Sequence, residues 1–261
     1  MLEKIKKYYS QKKYKKAYIL ANREHKKSPD TLEYYYLLGL IYYSLDKFSK
    51  SIEYLNFFLK YYPNQNDALI AKFHSLRAMN KNHEAILILE KLLNIDPRKS
   101  DIFLFLGECY LKVSNISKGD DCLKKSLEID SSKNNLLNIY KIYSDSNQKK
   151  KATQILKKSF YFQNDDEIKL KYCSDQINFN LGSFNETFTI LKSLLKKVKD
   201  PKVFNLLGLC SLILGKINES KNYFLKSINY YSNNKEILKF ASYIASSYYQ
   251  LAKMNYQFKE N

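Results

Sequence analysis

Three of the four prolines, Pro29, Pro63 and Pro97, recur at a constant interval of 34. A chain that halts its helices at a fixed interval is committed to stacking one unit on the next. The glycines keep the same spacing. Gly39 lies inside "YYYLLGLIYYSLDKFSKSIEYLNFFLKYYP" (residues 34–63), Gly107 inside "FLFLGECYL" and Gly208 inside "FNLLGLCSL". The first gap is 68, twice 34, and the second is 101, one short of three times 34. Within one period the apolar residues fall at helical spacing in two blocks, Tyr35, Leu38 and Tyr42, then Phe48, Ile52, Leu55 and Phe58. The links between blocks, "SLDKF" at 44–48 and "LGKI" at 214–217, are short and suit an antiparallel turn. Each unit therefore reads as a helical hairpin. A glycine inside a helix costs about 1 kcal/mol relative to alanine, so Gly39 is expected to let the first helix lie close against the second. Pro63 follows the second block, where it stops that helix.

Composition narrows the alternatives. With 261 residues, 45% of them hydrophobic, the chain can bury a substantial core and is not disordered. No apolar run approaches the roughly 18 residues of a bilayer span. The opening "MLEKIKKYYSQKKYKK" has no apolar segment or small-residue cleavage site, so it does not read as a secretory signal. Cytoplasm is the expected location, a periplasmic or other exported site requiring that a leader has been removed. Cys109, Cys122, Cys173 and Cys210 are scattered without a CxxC pair, and His25, His74 and His83 supply no HExxH spacing. The cysteines read as small buried hydrophobes, and neither a metal nor a cofactor is expected. The net charge of +18 has two readings. Abundant Lys, Asn, Ile and Tyr without Trp is what an AT-rich genome imposes. Yet residues 1–27 hold ten Lys or Arg against Glu3 and Glu24, a local +8.

The phased residues resemble the tetratricopeptide repeat family. Residues 32–65 carry Tyr35, Leu38, Gly39, Tyr42, Ser51 and Pro63 at its pattern positions, with Leu55 and Phe58 as larger or aliphatic substitutes. Residues 66–99 keep Ala85, Leu89 and Pro97 but have Lys72 and Phe73 in place of Leu-Gly. Residues 100–132 restore Phe103, Leu106, Gly107, Tyr110, Leu123 and Ser126, and residues 201–234 show Phe204, Leu207, Gly208, Ser220, Phe224 and Ser227. Three weaker units, 1–31 (Ala17, Ala21, Pro29), 133–167 (Tyr143, Ala152, Leu156) and 168–200 (Gly182, Phe184, Leu191), fill the gaps at the right length. A last helix in 235–261, with Ile237, Ala241, Ile244, Tyr248 and Leu251 on one face, is expected to cover the open end. The resemblance implies an all-α, right-handed superhelical solenoid of antiparallel hairpins. An irregular helical bundle is the alternative, disfavoured by a period of this length.

The resemblance also implies a partner-binding groove. Transferred from the family's groove positions, its lining is Tyr36, Leu40 and Tyr43, then Ile70, His74 and Arg77, then Leu104, Glu108 and Leu111. The Lys and Asn clamp with which some members grip acidic chaperone tails is missing, since Tyr36 and Leu40, or Tyr172 and Gln176, stand in its first two places. The expected role is a non-enzymatic scaffold or adaptor that holds other proteins, by an apolar or helical segment, in a secretion, motility or regulatory assembly. The alternative is an anionic-surface binder, in which an N-terminal arm with Lys12, Lys13, Lys15 and Lys16 among Tyr8, Tyr9 and Tyr14 contacts nucleic acid or lipid headgroups. A solvated surface is the plainer account of those lysines. Catalysis is the weakest reading, because no Gly-rich phosphate loop, nucleophile elbow or clustered Glu, Asp and His occurs.

Overall fold

The structure, a computed structural model, describes residues 1–163, 165–197, 200–230 and 237–257, and of these the side chains of 159–163, 237–240 and 255–257 are left aside. The end of the last unit at 234, the limits of the cap at 235 and 261, and the Ile237 side chain lie outside the described residues. Among the described residues every regular element is an α-helix. They are α1 (Leu2–Ser10), α2 (Tyr14–Lys27), α3 (Leu32–Ser44), α4 (Phe48–Tyr61), α5 (Asn66–Ala78), α6 (Asn82–Ile95), α7 (Ser100–Lys112) and α8 (Ile116–Ile129). The series continues with α9 (Lys133–Asp145), α10 (Lys149–Gln163), α11 (Asp166–Asn178), α12 (Phe184–Lys197), α13 (Pro201–Ile213), α14 (Ile217–Asn229) and α15 (Ile237–Gln257). Pro29, Pro63 and Pro97 each stand two residues beyond the end of α2, α4 and α6. Pro201 works differently, opening α13 at its first position, where its missing N–H costs nothing.

The turns inside the hairpins share one geometry. Their second residue has a positive φ in every case: Lys12, Asp46, Asn80, Ser114, Asn147, Asn180 and Gly215. The residue after it donates its N–H to the carbonyl five residues back, as in Lys47 to Tyr42 and Lys216 to Ser211, at 2.8–3.1 Å throughout. This is the closure of a Schellman motif, which satisfies carbonyls that the helix end would leave unpaired. Asn, Asp and Gly tolerate the left-handed conformation best, which explains why they dominate these positions.

Hairpin contact falls where the glycines predict. A Cβ added to Gly39 would lie 2.6 Å from the Leu55 side chain, and one on Gly107 2.5 Å from Leu123. One on Gly208 would lie 2.5 Å from the Phe224 ring. The bare backbone is also a hydrogen-bond acceptor: Ser51 Oγ donates to the Gly39 carbonyl at 2.9 Å and Ser220 Oγ to that of Gly208 at 2.8 Å. In α5 the glycine is replaced by buried Phe73, which packs among α5, α6 and α7 with its ring 5.1 Å from Phe105.

The chain divides into two compact units, 1–131 and 132–261. The first has apolar clusters around Ile5, Ala17 and Leu38, around Leu55 and Phe58, and around Phe73 and Leu89. The second is centred on Tyr172, Cys173, Leu191 and Leu207. Two expectations need correction. Residues 1–27 are no arm, because they form α1 and α2, with Ile5, Ala17 and Ala21 fully buried. In α15 the seated face is Ser247 and Met254 with half-buried Tyr243, Ile244 and Leu251, so Ile244 and Leu251 fall on it as expected, while Ala241 and Tyr248 are exposed. Asn205 of α13 fixes that rotation by donating to Ser247 Oγ at 2.7 Å and to the Tyr243 carbonyl at 3.1 Å.

Candidate partner-binding groove

The first helices α3, α5 and α7 bring most of the expected groove residues to one side of the first unit. Tyr43, His74, Arg77 and Glu108 line a common cleft of about 550 Å³. Ile70 and His74 line a smaller neighbour of about 180 Å³ together with Phe73 and Phe105. His74 sits among rings, with centroids 4.8 Å from Phe73, 5.8 Å from Phe105 and 6.1 Å from Tyr43. Burial, and then the Arg77 charge, hold its pKa below the ordinary histidine value of 6.5. The imidazole is therefore neutral at pH 7.

Other expected residues are placed differently. Tyr36 and Leu40 are half-buried against Leu55, Phe58, Ala68 and Ala71, with the Tyr36 ring 5.1 Å from Phe58. Burial, and less so Asp67, raise the Tyr36 phenol above its usual pKa. Leu104 and Leu111 are only 5% and 7% exposed, and Leu111 packs where Gly119 of α8 has no side chain. They belong to the packed interior of the repeats, because a repeat register fixes the face of a helix and leaves the depth to its neighbours. Arg77 and Glu108 are already engaged: the guanidinium meets the carboxylate at 2.9 Å and lies 4.9 Å from the Phe105 centroid, and Lys112 meets the same carboxylate at 2.8 Å. They brace the cleft floor and are not free charges awaiting a partner.

The cleft has further walls that the transferred positions omit, chiefly Tyr14, Asp46 and Phe48. Tyr14 and Phe48 are the opening residues of α2 and α4, one repeat period apart. Their shared phase was the signal available in the sequence. Lys12, Lys13, Lys15 and Lys16 surround a shallow depression of about 420 Å³ with Tyr14 and Leu45. Burial raises the thiols of Cys109 and Cys210 to about 11 and pushes that of Cys173 higher. These cysteines are protonated hydrophobes at neutral pH. Among the described residues no group of His, Cys, Asp and Glu is arranged to hold a metal ion, and no helix is long and apolar enough to cross a membrane.

The tetratricopeptide repeat model matches residues 32–65 and 201–234. The chain is 27% identical over 158 residues to the signal recognition particle subunit SRP72 of Dictyostelium discoideum, a match covering 59% of this chain and 22% of that protein. It thus spans about a fifth of the length of that curated relative. Among solved structures, the C-terminal part of a TPR repeat-containing protein from Cytophaga hutchinsonii is 11% identical with a TM-score of 0.68, covering 92% of this chain and 98% of that one. A tetratricopeptide repeat protein from Parabacteroides merdae is 15% identical with a TM-score of 0.56, covering 94% and 96%. At such identities the structural likeness establishes the fold alone.

Proposed function

The chain carries tetratricopeptide repeats, and from that premise we propose that it is a non-enzymatic scaffold which holds a partner protein in the cleft of its first unit. Tetratricopeptide folds bind other proteins and are typically non-catalytic. The observation that carries the finer reading is the cleft itself, where Tyr43, Phe48 and His74 stand together around about 550 Å³. Aromatic side chains give large contact area with few rotatable bonds and dominate binding energies. The partner supplies an apolar or helical segment, and the complex forms part of a larger assembly. A curated relative named as a subunit of a particle supports that last step. We take the repeat boundaries to be 1–31, 32–65, 66–99, 100–132, 133–167, 168–200 and 201–234, and the site of action to be the cytoplasm.

The test is capture from the native cell followed by mass spectrometry, then titration of the captured partner. Tyr43→Ala removes an anchor that is not part of the buried core, and the expected loss of about 2 kcal/mol is more than tenfold in affinity. Lys50→Ala with Glu53→Ala, at exposed sites outside the cleft, leaves affinity unchanged. Undiminished binding by a folded Tyr43→Ala protein moves the partner to another surface.

A further inference from the structure

Lys12, Lys13, Lys15 and Lys16 are all exposed, and among the described residues no acidic side chain pairs with them. Lys13 Nζ donates to the Gln11 amide oxygen at 2.9 Å. Of the other cations of the same hairpin, Lys6 is answered by Glu3 and Arg23 and Lys27 by Glu24, while Lys4, Lys7 and Lys26 are also without an acidic partner among the described residues but do not gather around one depression. The four lysines crowd one turn with like charge, an arrangement that an incoming anion relieves. Lys12 adds a second observation. It holds φ +57°, the turn position that Asp, Asn, Ser or Gly fills in every other hairpin. A lysine has none of the short side-chain hydrogen bonding that eases this conformation, so the turn accepts a less suitable backbone residue and gains a charge.

The basic depression adjoins the aromatic cleft, because Tyr14 is a wall of both. We infer that the partner held in the cleft is a linear peptide segment in which an acidic run follows or precedes the apolar anchor, and that this run lies on the Lys12–Lys16 turn. The inference rests on the cleft reading above. Carboxylates on a short run fit better than a polyphosphate backbone or a lipid surface, because the adjoining cleft sets Asp46 and Glu108 against Arg77 and Lys112, a balanced lining that gives a continuing polyanion no further hold. A peptide can be acidic over the turn and uncharged beside Asp46.

The test uses the full chain and fluorescence anisotropy at low and raised salt. The probes are a labelled peptide of about ten glutamates, its glutamine counterpart, the glutamate run joined to a Leu/Phe stretch, an oligouridylate of about ten nucleotides, and phosphatidylserine vesicles (read by co-sedimentation). The glutamate peptide binds, the glutamine peptide does not, and Lys12, Lys13, Lys15 and Lys16→Gln weakens binding tenfold or more. A control removing equal charge at exposed Lys91, Lys118, Lys124 and Lys125 leaves it within twofold. Lys12→Asn alone weakens it severalfold while the melting temperature holds or rises. Tyr43→Ala weakens only the probe with the Leu/Phe stretch. Loss of that last effect alone would sink the cleft reading and the shared segment, while leaving the acidic docking measured. No binding of the glutamate peptide at low salt, equal loss in the control variant, or tighter lysine-dependent binding of oligouridylate or vesicles would overturn the acidic-peptide assignment.

Discussion

At Gly208 an added Cβ would press on a rigid ring, that of Phe224, whereas at Gly39 it would meet Leu55, which can change rotamer. Both substitutions by alanine also gain about 1 kcal/mol of helix propensity, against about 1–3 kcal/mol for overpacking. Gly39→Ala is thus expected to fall near zero, and Gly208→Ala to cost about 1–2 kcal/mol by this difference. Denaturant titration of the two variants checks the order. Titration of histidine gives a second expectation. Burial depresses the pKa of both His25 and His74 from 6.5. The unfolded chain then binds protons that the folded one resists, so stability is full above pH 6.5 and declines as pH falls from there toward the folded values. Melting curves between pH 7.5 and 5 should show that decline, and His74→Phe should flatten it. An unaltered slope would mean that His74 is not held among Tyr43, Phe73 and Phe105.

Each helix shows how far a pattern can be read from the chain. The hairpins were legible because proline and glycine act through backbone geometry that any neighbour must respect. Two turns were legible, the links at 44–48 and 214–217, and the positive φ values add Lys12, Asn80, Ser114, Asn147 and Asn180 in the same phase as Asp46 and Gly215. The rotation of α15 was legible only in part. Ile244 and Leu251 of the apolar stripe lie on the seated side and Ala241 and Tyr248 do not, because a polar contact between Asn205 and Ser247 turns the helix toward Ser247, and no apolar periodicity registers it. Ser247→Ala leaves buried Asn205 with only the weaker Tyr243 carbonyl and should cost about 1 kcal/mol. Tyr248→Ala, at a residue 58% exposed, should stay within about 0.5 kcal/mol. Hydrogen exchange along α13 and α15 distinguishes the two. Leu104 and Leu111 fail as groove residues for a related reason: periodicity gives direction, and only the packed neighbours give depth.

At the scale of the molecule, each of the apolar clusters among the described residues lies within 1–131 or within 132–261. In stacked repeats stability is close to a sum of unit and nearest-neighbour terms, so residues 1–131 should fold alone and melt cooperatively. Helical circular dichroism without a cooperative transition would show that the first unit depends on the second. The division at 131 was not legible, because residues 133–167 are the stretch where few pattern residues survive. The left-handed turn residues tell more. From Lys12 to Ser114 they recur at a constant interval of 34, and from Ser114 to Gly215 at 33, 33 and 35. Deleting or duplicating one whole interval inside the first stretch rejoins a turn of the same kind. A change one residue shorter or longer inside a helix rotates the side chains beyond it by about 100° and sends their core face elsewhere, whereas a loop absorbs it, as the intervals of 33 and 35 in the second unit show. The helices of the first half can therefore gain or lose length without repacking only by a fixed quantum of sequence, one whole hairpin.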